Sequence, residues 1–425
     1  MWRDAGVGLA AGRSRLDPQP GWAGAADRPL MLAWLRRVAV RCGCVGLAAL
    51  LPSIAAAPGQ PLAPPLRGPL LAFDSAAHDR IVLYDVNADA QRDLRFGPRL
   101  HRIWGFSPDG CRILFTLHDG TAPSRAFTAR LDGRDLREIV RVDDLPAAEW
   151  GVWEPQWSPA AHNDRIAFTF VRRDGSPVGQ HRIAWVPSNG GAPQFYSNGG
   201  DEHTARWSPD GAWLVYTAYE QRVPGADIYS TAAPTPPGTT DSAPLLREAD
   251  LWVISADGST RYRLTDFPTG SVTMPRWSPD GDLIGFVFSP SPNRDQFWMI
   301  GAAPGALPTQ LSFAPALALD LTWLPDSTAM IAAARELRGV PENRLWRIPL
   351  IGSADADAVL YPEQVDLPYA DYARFSADGA WLALRRAYDL TLVELATGRV
   401  RSLGMFGNTP PVWSPASFTG EQACR

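Results

Sequence analysis

Apolar residues in this chain come in short runs, cut by polar clusters rich in Pro, Asp, Ser and Gly. The runs at 112–116, 165–170, 213–218, 283–288, 330–334 and 381–385 are too short for stable helices and are bounded by turn residues. They predict buried β-strands. A third strand is expected after several of them, at 251–255 or 344–350 for example. A hairpin turn such as Ala256-Asp257-Gly258 then leads to a short fourth strand at 261–265.

One string is written repeatedly before these runs. Trp207-Ser208-Pro209-Asp210-Gly211 recurs as Trp277-Ser278-Pro279-Asp280-Gly281. Phe106-Ser107-Pro108-Asp109-Gly110 and Phe375-Ser376-Ala377-Asp378-Gly379 are variants, and Trp157-Ser158-Pro159, Trp323-Leu324-Pro325-Asp326 and Trp413-Ser414-Pro415 are shorter copies. Pro presets φ for a turn, Asp accepts hydrogen bonds from nearby amides, and Gly supplies φ > 0. The aromatic is expected to end one strand and pack between neighbouring sheets. The aromatic positions are 38 to 70 residues apart, which suits a four-stranded propeller blade. The longest step holds an insertion at 221–248, rich in Pro, Thr and Ser, expected as a surface loop.

The two ends complement each other. Residues 70–98 hold three strand-like runs (70–73, 80–86 and 93–96) with no aromatic-Ser-Pro turn before them. Residues 409–415 hold that turn with little after it. The last segment can therefore supply the innermost strand of the first blade and cover its edge. The fold class expected is all-β: a single propeller of four-stranded blades, seven favoured and six the alternative.

The WSPDG turns, together with the stretch 251–258 and Arg263-Leu264-Thr265, resemble the repeats of the TolB-like, WD40-like β-propeller family. The resemblance covers roughly residues 70–415. It implies a propeller, and a family that includes both the periplasmic TolB protein of the Tol–Pal envelope system and the propellers of prolyl-oligopeptidase-like enzymes. TolB itself carries six blades behind a separate N-terminal α/β domain. Residues 1–69 here do not read as such a domain.

Those first residues read as an address. From Met31, a positive segment with Arg36, Arg37 and Arg41 leads into an apolar stretch ending at Ala55-Ala56-Ala57, the order of a secretory signal peptide. The organisation expected is a 1–57 extension and signal with the true start at Met31, a Pro-rich linker at 58–69, a propeller at 70–415 and a tail at 416–425. An uncleaved signal would act as a membrane anchor. Export leaves Cys111 and Cys424, which could pair or stay as two thiols.

Composition narrows the chemistry. The 40 basic residues are all arginine, which excludes a Walker-A lysine, a Schiff base and a Ser–Lys dyad. The net charge of −5 argues against nucleic acid as a partner. The Gly-x-Ser-x-Gly pentapeptide of α/β-hydrolases does not occur. His78, His101, His118, His162, His181 and His203 are scattered without metal-ligand spacing. The acidic strings at 85–89 and 355–357 read as turns. No catalytic, cofactor or metal residues are assigned, and no cofactor is expected.

The remaining candidates are at the channel mouth. Arg102, Glu154, His203, Thr273, Asp320, Asp371 and Thr409 lie three or four residues before each turn aromatic. With Glu149, Glu202 and Asp366 they predict a net acidic rim that would hold a cation, a basic segment or a polyol. Trp150, Trp153, Tyr219, Tyr369 and Tyr372 lie near loop ends, where they could stack on a sugar or anchor a partner. The expected function is an exported, non-catalytic scaffold, periplasmic or extracellular. It would bind an envelope or extracellular protein, or a small ligand, as a monomer with no membrane span after export. The alternative is a carbohydrate-active or other hydrolytic enzyme using the acidic rim.

Overall fold

The computed structural model describes residues 64–97, 100–118, 124–141, 150–159, 164–172, 181–196, 201–222, 246–314, 316–407 and 409–424. The chain divides into units at Met1–Pro61 and Leu62–Arg425. The expected signal peptide and the first part of the linker lie outside the described residues.

The second unit is an all-β propeller. Five sheets have four strands each. One runs through Leu100–Phe106, Arg112–His118, Arg125–Arg130 and Arg137–Glu138, each antiparallel to the one before. The others repeat this plan. A sixth sheet has eight strands, so the expected set of six or seven separate blades is not what forms. Its two four-stranded halves start at Asp201–Trp207 and Ser271–Trp277. The join has a local cause. The hairpin of Trp213–Arg222 and Leu246–Ser255 is paired over ten positions, longer than its counterparts, and Ala249 on its second arm bridges Ser271. The insertion foreseen at 221–248 is thus partly strand, and its centre at 223–245 lies outside the described residues.

Strand positions otherwise follow the apolar runs, except that the run foreseen at 93–96 forms earlier, as Ala90–Leu94. The first sheet contains Leu70–Asp74, Ile81–Asp85 and Ala90–Leu94, and the C-terminal strand Val412–Trp413 pairs with Leu70–Asp74.

The repeated turn has the chemistry that its residues predict. In Ser208–Trp213 the Ser208 hydroxyl donates to Asp210 at 2.5 Å and accepts from the Trp213 amide at 2.9 Å. Asp210 also accepts from the Ala212 amide, and the Gly211 amide, at φ +68°, closes onto the Ser208 carbonyl. Ser107, Ser278 and Ser376 do the same in their turns. These aspartates are structural. So are Asp85, which accepts from the Arg67 and Gly68 amides, and Asp355, which accepts from the Phe313 amide.

The core lies between sheet faces. Leu114 of one sheet packs with Val152 and Phe168 of the next, and Ile331 and Ala333 pack with Leu382 and Leu384. Each fully buried Leu or Phe contributes about 1.5–3 kcal/mol. The 416–424 segment is packed rather than loose. Phe418 is buried with Leu66, Leu70 and Ile103, and a Cβ on Gly110 would stand 2.6 Å from it. The Cys111–Cys424 disulfide fixes the segment to the second sheet, so the two cysteines that the sequence left open are paired.

Candidate functional site

The seven strands that end on a turn aromatic carry the site on their facing edges. Six of them are Leu100–Phe106, Trp150–Trp157, Asp201–Trp207, Ser271–Trp277, Leu317–Trp323 and Ala370–Phe375. With the 409–413 segment they surround a cavity of about 610 Å³, to which all seven contribute.

Each of the six strands is bulged just before its aromatic. The register shifts fall at Ile103/Gly105, Trp153/Gln156, His203/Arg206, Thr273/Arg276, Ala318/Asp320 and Asp371/Arg374. Glu154, Thr204, Met274 and Tyr372 hold equivalent positions, three before the aromatic, and all have φ between 47° and 56°. Non-glycine residues rarely adopt this conformation, and bulges re-aim side chains. Here they turn the residue directly before the aromatic into the cavity: Gln156, Arg206, Arg276 and Arg374.

The indole N–H groups hold these strands in step. Trp207 donates to the Gln156 carbonyl, Trp277 and Trp323 to those of Arg206 and Arg276, and Trp413 to that of Arg374, at 2.9–3.3 Å. These four turn tryptophans thus fix the backbone of a channel residue on the neighbouring strand. The arginines are fixed again by donating to the carbonyl just before them, Ala205, Pro275 or Ala373.

The channel charge is positive. Arg102, Arg206, Arg276 and Arg374 line it, against two carboxylates, Glu154 and Asp320. Arg206 pairs with Glu154 at 2.9 Å. Asp320 is shared between Arg276, at 3.6 Å, and the closer Arg374. Arg102 lies over the Trp153 ring at 5.1 Å. Burial pushes the Arg276 guanidinium down to about 9, with Arg206 and Arg374 adding repulsion and Asp320 opposing it. It still carries its charge at neutral pH. Burial would raise Glu154, but the Arg206 guanidinium outweighs it and holds this carboxyl below its ordinary range.

Five of the seven residues picked from the sequence line this cavity: Arg102, Glu154, Thr273, Asp320 and Thr409. Two do not. Asp371 precedes its bulge and turns into its own sheet, where it accepts from Arg385 at 2.6 and 2.8 Å. His203 opens on a separate side cavity. Glu202 is buried against Arg261, Asp366 pairs with Arg344, and Glu149 lies outside the described residues. The net acidic rim is therefore corrected to a net basic channel. The arginine before the aromatic was overlooked because unbroken alternation would turn it away from the residues four before the aromatic, such as Arg102 and Thr273. Its repetition as Arg206-Trp207-Ser208, Arg276-Trp277-Ser278 and Arg374-Phe375-Ser376 was the available signal.

The aromatic candidates divide as well. Trp153 and Tyr372 line the channel, with Trp104 edge-on to Trp153 at 5.4 Å. Trp150 is buried in the core, Tyr219 meets His203, and Tyr369 is exposed.

The side cavity, of about 290 Å³, was missed entirely. His181, at the start of His181–Pro187, places Nδ1 2.6 Å from Asp201 Oδ1. His203 Nε2 lies 3.2 Å from the same oxygen, and the two imidazole rings are 3.8 Å apart. Burial, with a further push from His181, lowers the His203 pKa to about 4. Cavity walls include Ser124, Thr169 and Thr204. Residues 20 apart in sequence do not register in a search by local spacing.

No protein-family model matches the chain. Over 149 residues it is 24% identical to the uncharacterized peptidase YuxL of Bacillus subtilis, covering 35% of this chain and 19% of that protein. Over 232 residues it is 24% identical to the uncharacterized protein Atu1656 of Agrobacterium fabrum, covering 49% and 72%. A solved prolyl endopeptidase is similar with a TM-score of 0.52 at 11% identity, over 81% of this chain and 49% of that one. An oligogalacturonate lyase of Vibrio parahaemolyticus gives 0.50 at 12%, over 80% and 85%. TolB of Acinetobacter baumannii gives 0.44 at 14%, over 81% and 66%. The fold is an all-β propeller of four-stranded sheets, and the likeness to the endopeptidase and the lyase supports it. These identities speak to fold alone. The chain spans about a fifth of YuxL and half of that endopeptidase. Among the described residues no helix is long and apolar enough to cross a membrane.

Proposed function

We propose that this propeller is a binding module whose channel takes an acidic segment of a protein partner. The observation that carries this is the placement of Arg206, Arg276 and Arg374 at equivalent positions around one cavity, with Arg102 beside them and, among the described residues, only Glu154 and Asp320 in opposition. Guanidinium forks suit carboxylates, and their own pairs keep them oriented before a ligand arrives. The volume suits a few side chains, and Trp104, Trp153 and Tyr372 add aromatic surface.

The same electrostatics speak against the hydrolytic alternative. A glycosidase acid needs a raised pKa, and Glu154 is held low by Arg206. Binding without catalysis is the reading adopted.

The partner is placed in the envelope or outside the cell. Residues 1–57 are read as an extension and signal, followed by the linker to residue 69, and a Cys111–Cys424 disulfide suits an oxidising compartment. The ring is read as closed by the C-terminal strand. The eight-stranded sheet divides at the single Ala249–Ser271 bridge, and Val412–Trp413 serves as the inner strand of the first blade.

The test is a tryptophan-fluorescence titration of the full chain with a Glu-rich peptide and its Gln counterpart. Saturable binding of the acidic peptide alone supports the reading. Equal response to both, or to neither, overturns it.

A further inference from the structure

Outside the channel, the His181–Asp201–His203 cluster stands out among the described residues as a set of three ligand-type groups gathered around one point. We propose that His181, Asp201 and His203 form a binding site for a divalent transition-metal ion such as Zn²⁺.

The argument begins with topology. Asp201 and His203 are two apart on one strand, so they share a face before the bulge that follows His203. His181 begins a strand of the preceding sheet, paired to Val171. The site thus spans two sheets whose spacing is set by the core. It does not depend on one flexible loop.

The donor atoms then fit. One nitrogen from each histidine and one Asp201 oxygen lie within 4.8 Å of one another. Bonds of about 2.0–2.2 Å from imidazole nitrogen and carboxylate oxygen can gather such a set around one ion. Two imidazoles and a carboxylate, with no thiolate, suit Zn²⁺ and its first-row neighbours better than Ca²⁺ or Mg²⁺. The Asp201 carboxylate is 5% exposed, and each histidine is about a quarter or less exposed. A divalent ion would meet both imidazoles at once, which otherwise stand ring to ring at 3.8 Å.

The surroundings leave room for further ligands. His181 and His203 border the 290 Å³ cavity, with Ser124, Thr169 and Thr204 on its walls, and Asp201 stands behind the two imidazoles. Three protein ligands and open positions are the plan of an exchangeable site rather than a closed structural one. Trp153 and Thr204 border both this cavity and the channel, so the ion would stand directly behind the channel wall.

The test uses the full chain after removal of metal with EDTA. Zn²⁺ is titrated by calorimetry, and Co²⁺ is added separately to read the visible d–d bands. One Zn²⁺ per chain, a rise in Tm and a Co²⁺ spectrum of four- or five-fold coordination are expected. His203→Ala and His181→Ala should each lower Zn²⁺ affinity by at least about a hundredfold while near-UV circular dichroism stays unchanged. Should a variant fail to fold, the wild-type stoichiometry and Co²⁺ spectrum still decide. Absence of saturable binding in the wild type, or Zn²⁺ affinity undiminished in both folded variants, overturns the proposal.

Discussion

Trp277 donates its indole N–H to the Arg206 carbonyl at 3.0 Å, across the gap between two inner strands. The donor belongs to the repeated turn, and the acceptor belongs to the residue that points a guanidinium into the channel. One residue type thus sets both the fold and the site. The same contact joins Trp323 to Arg276 and Trp413 to Arg374.

Trp277→Phe keeps most of the packing and deletes that bond. An unpaired carbonyl and a lost hydrogen bond cost about 1 kcal/mol, up to about 3 if water cannot reach the oxygen. Urea denaturation should show this loss, and binding of an acidic peptide should weaken as Arg206 loosens. Unchanged stability would show that the indole contact contributes nothing net.

The disulfide makes a second case. Cys111 and Cys424 are 313 residues apart, and their bridge holds the segment carrying Phe418 and the Glu421–Arg92 pair over the first two sheets. Removing such a bridge costs about 2–5 kcal/mol. Cys111→Ser with Cys424→Ser should unfold at correspondingly lower urea. Dithiothreitol should reproduce the effect in wild type and add nothing in the double variant. A reductant effect of equal size in the variant would contradict this.

His203 predicts a pH dependence in metal-free protein. Its folded pKa is near 4 because it is buried, while an unfolded histidine titrates near 6.5. Between those values the unfolded chain binds the extra proton. Stability is therefore lost as pH falls from about 6.5 to 4, by at most about 1.4 kcal/mol per pH unit. Comparing denaturation of wild type and His203→Gln at pH 7, 5.5 and 4.5 isolates this slope. Parallel curves for the two proteins would refute it.

What could be read from the amino-acid order follows from the range of each interaction. The turn chemistry of Ser208 to Trp213 is local, so its residues announce it, and the strands beyond follow from their apolar runs. Glu154, Asp320 and Arg102 could be placed near the axis by counting back from the aromatic. Arg206, Arg276 and Arg374, directly before the aromatic, lie across a bulge from the residues four before it, so a count of two along the strand does not carry from one to the other. Asp371 was misplaced for the same reason. The His181–Asp201–His203 cluster depends on how two sheets pack, which no local pattern encodes. The join at Ala249 and Ser271 is likewise a matter of three-dimensional reach.

The most direct test of the central claim compares wild type with Arg206→Ala/Arg276→Ala for binding of the same Glu-rich peptide at 0.05 and 0.3 M salt. Both proteins should fold, because Arg374 still pairs with Asp320 and the Trp277 and Trp323 indoles still meet their backbone carbonyls. The account predicts saturable wild-type binding that weakens with salt, and at least a tenfold loss in the double variant. Equal affinity in the two folded proteins would contradict it.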